Sequence, residues 1–190
     1  MSPPDAGIYG IILAAGGSTR MGESKALLRL GGMSLIQLHV EAMRPICNEI
    51  AVVIGADDQN IRKEIPQGVV TIFNRHWDTT EPRHSLVLAL SSLPTAARAF
   101  VIPVDMPPPP TAIYAELRNK GAPIVPTVEG QAGHPVLIPV TPTRDELRHN
   151  PLNVVLAGAP RHEINWTDSI TNFNTPEEWA EWSSSRTWSG

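Results

Sequence analysis

The chain has 190 residues, which is the length of one domain and enough to bury a sizeable core. Its 42% hydrophobic and 18% charged residues are ordinary for a globular protein, and its net charge of -4 argues against a general nucleic-acid-binding surface. Cys47 is the only cysteine, which excludes an internal disulfide and a cysteine metal cluster. No apolar run reaches membrane-spanning length, and the N-terminus lacks the basic and apolar regions of a signal peptide. We therefore expect one cytoplasmic domain over residues 1–190, with loose tails at 1–7 and 184–190.

Hydrophobic patterning predicts strands that alternate with helices. The predicted strands are 8–13, 50–54, 69–73, 99–104, 124–128, 136–140 and a short candidate at 162–166. The predicted helices are 35–44, 58–64, 86–93, 111–120, 141 or 143 to 149, 152–157 and one that begins near 175. Ser34 with Gln37 resembles a capping box, and Ser85 and Thr111 are predicted helix caps. The alternation predicts an α/β domain with a mostly parallel central sheet.

The glycine-containing segment after the first strand is the strongest candidate for a binding site. Residues 14–18 form a run of small residues, and Arg20 and Lys25 follow within one short stretch. Small residues let backbone N–H groups approach an anion, and arginine and lysine both suit phosphate. The spacing does not match a Walker A loop or the G-x-S-x-G nucleophile elbow. The segment therefore predicts a polyphosphate site of another kind.

Asp105 follows directly after another apolar strand. Ligands of parallel α/β sheets bind beyond the carboxyl ends of the strands, so Asp105 and the loop at 14–18 are expected at one edge. A carboxylate beside a triphosphate suits Mg²⁺, which binds one or two carboxylates together with phosphate oxygens. The pattern thus indicates a Mg²⁺-dependent site.

The stretch from Leu13 to Lys25 resembles the L-A-A-G-x-S-x-R-M-G-x-x-K signature of the molybdenum cofactor nucleotidyltransferases, the MobA-like NTP transferases. It is more similar to the cytidylyltransferase branch than to the guanylyltransferase branch, which tends to have L-A-G-G. Further segments that resemble the family are N-R-H-W at 74–77, V-D-M-P at 104–107, G-H-P-V-L at 133–137 and N-F-N-T-P-E-E at 172–178. The resemblance implies a single Rossmann-like three-layer domain of the nucleotide-diphospho-sugar transferase type.

The resemblance also implies a reaction and a set of site residues. It implies that CMP is transferred from CTP to molybdopterin with release of pyrophosphate. Arg20 would balance charge on pyrophosphate, Lys25 would lie at the α-phosphate, and Asp105 with Asn174 would hold Mg²⁺. The implied nucleotide-binding residues are Leu13, Ala14, Ala15, Gly16, Gly17, Ser18, Asn74 and Ser85, and the implied acceptor-binding residues are Gly133, His134 and Pro135. The expected partners are a nucleoside triphosphate, a phosphate acceptor and, transiently, a molybdoenzyme or its chaperone, with no nucleic acid and no membrane.

Two departures from the family pattern leave alternatives open. Asn172 and Asn174 replace the two aspartates of D-I-D, and a neutral amide oxygen holds a metal less strongly. The segment 81–84, Glu-Pro-Arg-His, replaces a small-residue run, and its cations could bind acceptor phosphate or lie on the surface. The alternatives are therefore transfer to another small phosphate, such as a sugar or polyol phosphate, and a non-catalytic nucleotide-binding chaperone.

Overall fold

The computed structural model describes residues 7–18 and 21–186. Its strands are β1 (Ile8–Ala14), β2 (Arg29–Leu30), β3 (Met33–Ser34), β4 (Glu49–Ile54), β5 (Val70–Phe73), β6 (Arg98–Pro103), β7 (Val125–Val128), β8 (Gln131–Ala132), β9 (Val136–Pro139) and β10 (Arg161–Glu163). Its α-helices are α1 (Leu35–Met43), α2 (Asp58–Glu64), α3 (Pro82–Ser91), α4 (Thr111–Arg118), α5 (Val140–Leu147), α6 (Leu152–Val155) and α7 (Pro176–Ser184).

The central sheet has five strands in the order β5-β4-β1-β6-β9. The first four run parallel, and β9 pairs antiparallel with β6 at the edge. The chain moves outward from β1 through β4 to β5 and then crosses to the other side of β1 to form β6. The crossing leaves a crevice beyond the carboxyl ends of β1 and β6, where open α/β sheets bind ligands.

Helices cover both faces of the sheet, which gives three layers. Alternate residues of β1 point to opposite faces, as a strand requires: Ile8 and Ile12 pack in one core cluster and Ile11 in another. The first cluster includes residues of α1, α2 and α4, and the second includes residues of α3, α5 and α6. The predicted three-layer α/β fold with a mostly parallel sheet is confirmed.

Most predicted elements form, but two of the predicted helix caps do not occupy a cap position. Gln37 accepts a hydrogen bond from the Ser34 backbone at 2.9 Å, as the capping-box pattern predicts. The prediction that Ser85 caps a helix is wrong, because α3 already begins at Pro82 and Ser85 is buried inside it. The prediction for Thr111 is also wrong: it is the first residue of α4, and its hydroxyl donates to Ala42 O at 3.0 Å.

A smaller sheet and the C-terminal helix complete the domain. β10, β7 and β8 form a three-stranded sheet that Ile124 joins to β9 by a backbone bridge to Leu137. A third apolar cluster around Phe173 packs α7 and the β2–β3 hairpin against the N-terminal part of α1. Within residues 7–18 and 21–186, no helix has both the length and the apolar character needed to cross a bilayer.

Candidate active site

A cavity of about 350 Å³ opens at the carboxyl ends of β1 and β6. Both predicted segments meet there, since the loop after β1 and the turn after β6 each supply part of the wall. The lining residues are Leu13, Ala14, Ala15, Gly16, Ser18, Ser24, Lys25, Trp77, Thr80, Glu81, Pro82, Ser85, Pro103, Val104, Asp105 and Asn174. The prediction that the loop and Asp105 share one edge is confirmed.

The glycine loop is shaped so that Lys25 returns toward β1. Ser18 has a left-handed backbone with φ of 48°, and its carbonyl accepts a hydrogen bond from Met21 N at 2.9 Å. Its hydroxyl accepts a hydrogen bond from Lys25 N at 3.1 Å. Gly17 lies in a second depression beside the loop, together with Asp57 of the segment before α2. Arg20, the predicted pyrophosphate contact, lies outside the described residues.

Lys25, Asp105 and Asn174 converge on one point of the cavity. Lys25 Nζ lies 2.9 Å from Asp105 Oδ2 and donates at 3.4 Å to Asn174 Oδ1. The Lys25 side chain is only 12% exposed and is largely shielded from bulk water, whereas that of Asp105 is 30% exposed and remains partly accessible. Three segments far apart in sequence therefore place one cation and two oxygen ligands together.

These two oxygens fit a divalent hard cation that is shared with phosphate. Asp105 and Asn174 already coordinate one positive charge, the Lys25 ammonium, and carboxylate and amide oxygens are ligands that Mg²⁺ accepts. Among the described residues, no group of three His, Cys, Asp or Glu side chains is placed to hold a metal. The donor set therefore fits an ion that completes its shell with triphosphate oxygens and water.

The backbone of the C-terminal segment fixes Asn174. Phe173 N donates to Asp105 O at 2.7 Å, and the Phe173 ring is fully buried against Trp179 and Trp182. Glu178, in the capping box of α7, accepts from the Asn174 backbone. Asn172 does not line the cavity and instead lines a different depression, together with Phe173 and Trp182. Of the two asparagines, Asn174 is thus the one that faces the cavity.

The opposite wall of the cavity is built from the segment between β5 and α3. Asn74 is buried and donates to Ser85 Oγ at 3.1 Å, while its own amide oxygen accepts from His76 N at 3.0 Å. Trp77 lies against Gly55, where an added Cβ would be 2.5 Å from the Trp77 Cβ. Ser85 therefore lines the cavity, and the buried Asn74 side chain fixes the position of the Ser85 hydroxyl.

The replaced segment 81–84 contributes an acid rather than a cation to the cavity wall. Glu81 and Pro82 line the cavity, and Glu81 Oε2 lies 2.9 Å from Arg83 Nε. His84 contacts the Glu81 carbonyl through Nδ1 at 3.2 Å and does not line the cavity. Of the two readings of these cations, this geometry favours side chains outside the pocket.

His134 lies near Asp105 beside the cavity rather than in its lining. Burial lowers the pKa of His134 to about 4, against the opposing charge of Asp105, so the imidazole is neutral at neutral pH. Gly133 is held against Ser169, since an added Cβ would lie 2.0 Å from the Ser169 hydroxyl. Gly133 and Pro135 do not line the cavity, so their predicted acceptor role stays a prediction.

The family model for the MobA-like NTP transferase domain matches residues 10–159. The chain belongs to this family. The match spans the glycine loop, the Asp105 turn and the segment 133–135, and it ends before Asn174.

The relatives of this MobA-like domain include proteins named molybdenum cofactor guanylyltransferases. One from Neisseria meningitidis serogroup B, named putative, is 32% identical over 116 residues, which are 58% of each chain. One from Xanthomonas euvesicatoria is 28% identical over 188 residues, 90% of this chain and 92% of that protein. The chain therefore matches little more than half of the first relative and nearly all of the second.

Solved structures show the same fold at low sequence identity. A nucleotidyl transferase from Methanothermobacter has a TM-score of 0.81 at 18% identity and covers 94% of this chain and 96% of its own. A Mycobacterium tuberculosis H37Rv protein, Rv0371c, solved in complex with manganese, has a TM-score of 0.72 at 20% identity over 95% of this chain and all of its own. The fold is that of the nucleotide-diphospho-sugar transferases.

Sequence reasoning missed part of the cavity wall of this MobA-like domain. Trp77, Thr80, Glu81 and Pro82 line the cavity, but none was predicted as a site residue. A signal was present, because N-R-H-W resembles the family and Pro82 marks the first turn of a helix. The contact between Phe173 and Asp105 had no local signal, since the two residues are far apart in sequence.

Proposed function

We propose that the protein transfers a nucleotide from a nucleoside triphosphate to a small phosphate acceptor, with molybdopterin as the leading acceptor, and releases pyrophosphate. The observation that carries this proposal is the meeting of Lys25, Asp105 and Asn174 beside the glycine loop. Membership of the MobA-like family supports nucleotidyl transfer. A cytoplasmic location and transient contact with a molybdoenzyme or its chaperone accompany the proposal.

The residues of the cavity suit attack on the α-phosphorus. The acceptor phosphate is already anionic, so the reaction needs no strong general base and depends on positioning and charge neutralisation. The backbone of residues 14–18 would hold the phosphates, and Lys25 would move from its Asp105 contact to a non-bridging phosphate oxygen. Arg20 would balance charge on the leaving pyrophosphate. Mg²⁺, held by Asp105 and Asn174, would supply further neutralisation of phosphate charge.

The nucleotide is CTP in this proposal, with GTP as the competing choice. Ala15 supports CTP, because the segment around it resembles the cytidylyltransferase branch, and Ala15 lines the cavity. The names of the Neisseria and Xanthomonas relatives favour GTP. Calorimetric titration of both nucleotides in the presence of Mg²⁺ separates them: tighter CTP binding supports the assignment, and tighter GTP binding overturns it.

A second class of acceptor competes with molybdopterin in this proposal. Glu81 lines the cavity, and its carboxylate pairs with Arg83 instead of leaving that cation to bind phosphate. The wall therefore differs from the small-residue run of the family pattern, which favours testing sugar and polyol phosphates beside molybdopterin. The replacement of two family aspartates by Asn172 and Asn174 also keeps a non-catalytic chaperone as a candidate.

Pyrophosphate release measured with a panel of acceptors tests the proposal. The purified protein is incubated with CTP or GTP, Mg²⁺ and molybdopterin, a sugar phosphate or a polyol phosphate. Release that requires molybdopterin supports the leading proposal, and release that requires another acceptor supports the alternative enzyme. Tight nucleotide binding without pyrophosphate release from any acceptor would favour the non-catalytic chaperone.

A further inference from the structure

The turn that carries Asp105 has few backbone hydrogen bonds of its own. Residues 103–110 read Pro-Val-Asp-Met followed by four prolines, so only Val104, Asp105 and Met106 have an N–H group. Val104 N donates to Leu13 O at 3.0 Å, and Met106 N reaches Pro103 O at 3.4 Å. Because proline has no N–H group, the carbonyl groups of this turn must accept hydrogen bonds from donors elsewhere in the fold.

Two donors from other parts of the chain hold this turn. Phe173 N donates to Asp105 O at 2.7 Å. His39 of α1 is fully buried, and its Nε2 lies 3.1 Å from Met106 O. Because a carbonyl only accepts, Nε2 carries the proton and donates. His39 Nδ1 is buried and makes no hydrogen bond within the described part of the chain.

A buried histidine at position 39 is energetically unfavourable for the core. A leucine would fill α1 without leaving a polar atom buried and unpaired, which ordinarily destabilises a protein. Burial lowers the pKa of His39 to about 4, so the ring is neutral at neutral pH and donates to Met106 O through its Nε2 proton. The ring interacts with the backbone of both Met106 and Val104, so contact with the Asp105 turn is what the side chain provides.

We propose that His39 is a positioning residue, which holds the turn 104–106 so that Asp105 Oδ2 faces Lys25 and Asn174. This role rests on the proposed function for its effect on turnover. It acts through the backbone: His39 contacts Met106 O, Phe173 N–H contacts Asp105 O, and these two contacts restrict the backbone that carries the Asp105 carboxylate.

Three variants separate positioning from packing. His39→Leu removes the donor and keeps an apolar side chain of similar size. His39→Gln keeps an amide donor that can reach Met106 O. Thr111→Val is the matched control, because it removes a 3.0 Å side-chain bond to Ala42 O that also ties a helix to α1 but lies away from the cavity.

Two readouts are measured on each variant. The first is turnover, where His39→Leu should lower kcat by about tenfold to a hundredfold through misplacement of Asp105 and change the KM for nucleotide by less than about threefold. His39→Gln should keep at least about a third of kcat, and Thr111→Val should keep kcat within about twofold. The second is NMR hydrogen exchange of the Val104 and Phe173 amides, which should be at least about tenfold faster in His39→Leu alone.

The inference is overturned if His39→Leu keeps the turnover of Thr111→Val, if His39→Gln is as impaired as His39→Leu, or if exchange of both amides is unchanged. Where His39→Leu does not fold, His39→Asn replaces it, because its shorter amide cannot reach Met106 O, and the same comparison with His39→Gln applies. If the wild-type protein releases no pyrophosphate with any acceptor, the proposed function fails, and the exchange comparison alone decides the role of His39.

Discussion

Replacing Lys25 with methionine is a stringent test of the role proposed for its ammonium group in the cavity. The change keeps most of the aliphatic stem and removes the ammonium that lies 2.9 Å from Asp105 Oδ2. Loss of one group that neutralises charge in a transition state costs about a hundredfold to a thousandfold in kcat, or about 3–4 kcal/mol. We expect that loss in pyrophosphate release at saturating nucleotide.

The stability of the same variant should change little. The Asp105 side chain is 30% exposed, so water can solvate its carboxylate once the ammonium is gone. The free energy of unfolding should therefore fall by ~1 kcal/mol, the scale of a partly exposed ion pair. Arg29→Met is the matched control, because Arg29 is 53% exposed, pairs with Glu64 and does not line the cavity, and it should keep kcat within about twofold. A folded Lys25→Met variant with turnover within about threefold of wild type would refute the assigned role.

Three further predictions concern the metal, pH and packing. Asp105→Asn should abolish nucleotide-dependent Mg²⁺ binding in calorimetry together with turnover, and Asn174→Asp should lower the Mg²⁺ concentration needed for half-maximal turnover; an unchanged requirement would place Asn174 off the ion. Burial lowers the pKa of His39 from 6.5 to about 4, so the unfolded state binds more protons than the folded state between these pH values. The free energy of unfolding should therefore fall by up to about 3 kcal/mol as the pH drops through that range. In urea unfolding, the dependence of this free energy on pH should be flatter for His39→Gln than for the wild-type protein. Gly55→Ala places a Cβ 2.5 Å from the tryptophan Cβ in the cavity wall and should cost about 1–3 kcal/mol of stability in the same assay, whereas Gly158→Ala, with open space around it, should cost less than ~1 kcal/mol.

Local sequence signals predicted the parts of the fold that depend on neighbouring residues. The run of apolar residues in β1, the capping box at Ser34 and the helix start at Thr175 each depend on side chains within a few positions. The loop at 14–18 and Asp105 could be placed at one sheet edge because both follow buried strands. That reasoning needed only the rule for parallel sheets, and the cavity confirms it.

Features that depend on long-range packing could not be predicted in the same way. The antiparallel direction of β9 has no local signature, and β8 consists of two exposed residues, Gln131 and Ala132, without a hydrophobic pattern. The start of α3 was missed because Glu81 and Pro82 open it without a typical cap, while Ser85 looked like one and is instead buried beside Asn74. Tertiary contacts decided each of these cases.

The choice between Asn172 and Asn174 was open for the same reason. Both replace family aspartates, and their spacing is compatible with either side chain facing the metal. Burial of Phe173 between them decides the matter, because its backbone N–H is bound to Asp105 O and its ring is directed into the tryptophan cluster. Asn174 then follows on the cavity side, within 3.4 Å of Lys25 Nζ.

The fate of labelled phosphate is the most direct test of nucleotidyl transfer by this protein. The protein is incubated with molybdopterin, Mg²⁺ and CTP or GTP that carries ³²P at either the α or the γ position, and the products are separated by chromatography. The α label should appear in a molybdopterin dinucleotide and the γ label in pyrophosphate, and Asp105→Asn should form neither product. Transfer of the γ label to the acceptor, or release of the label as inorganic phosphate without a dinucleotide, would contradict nucleotidyl transfer by this site.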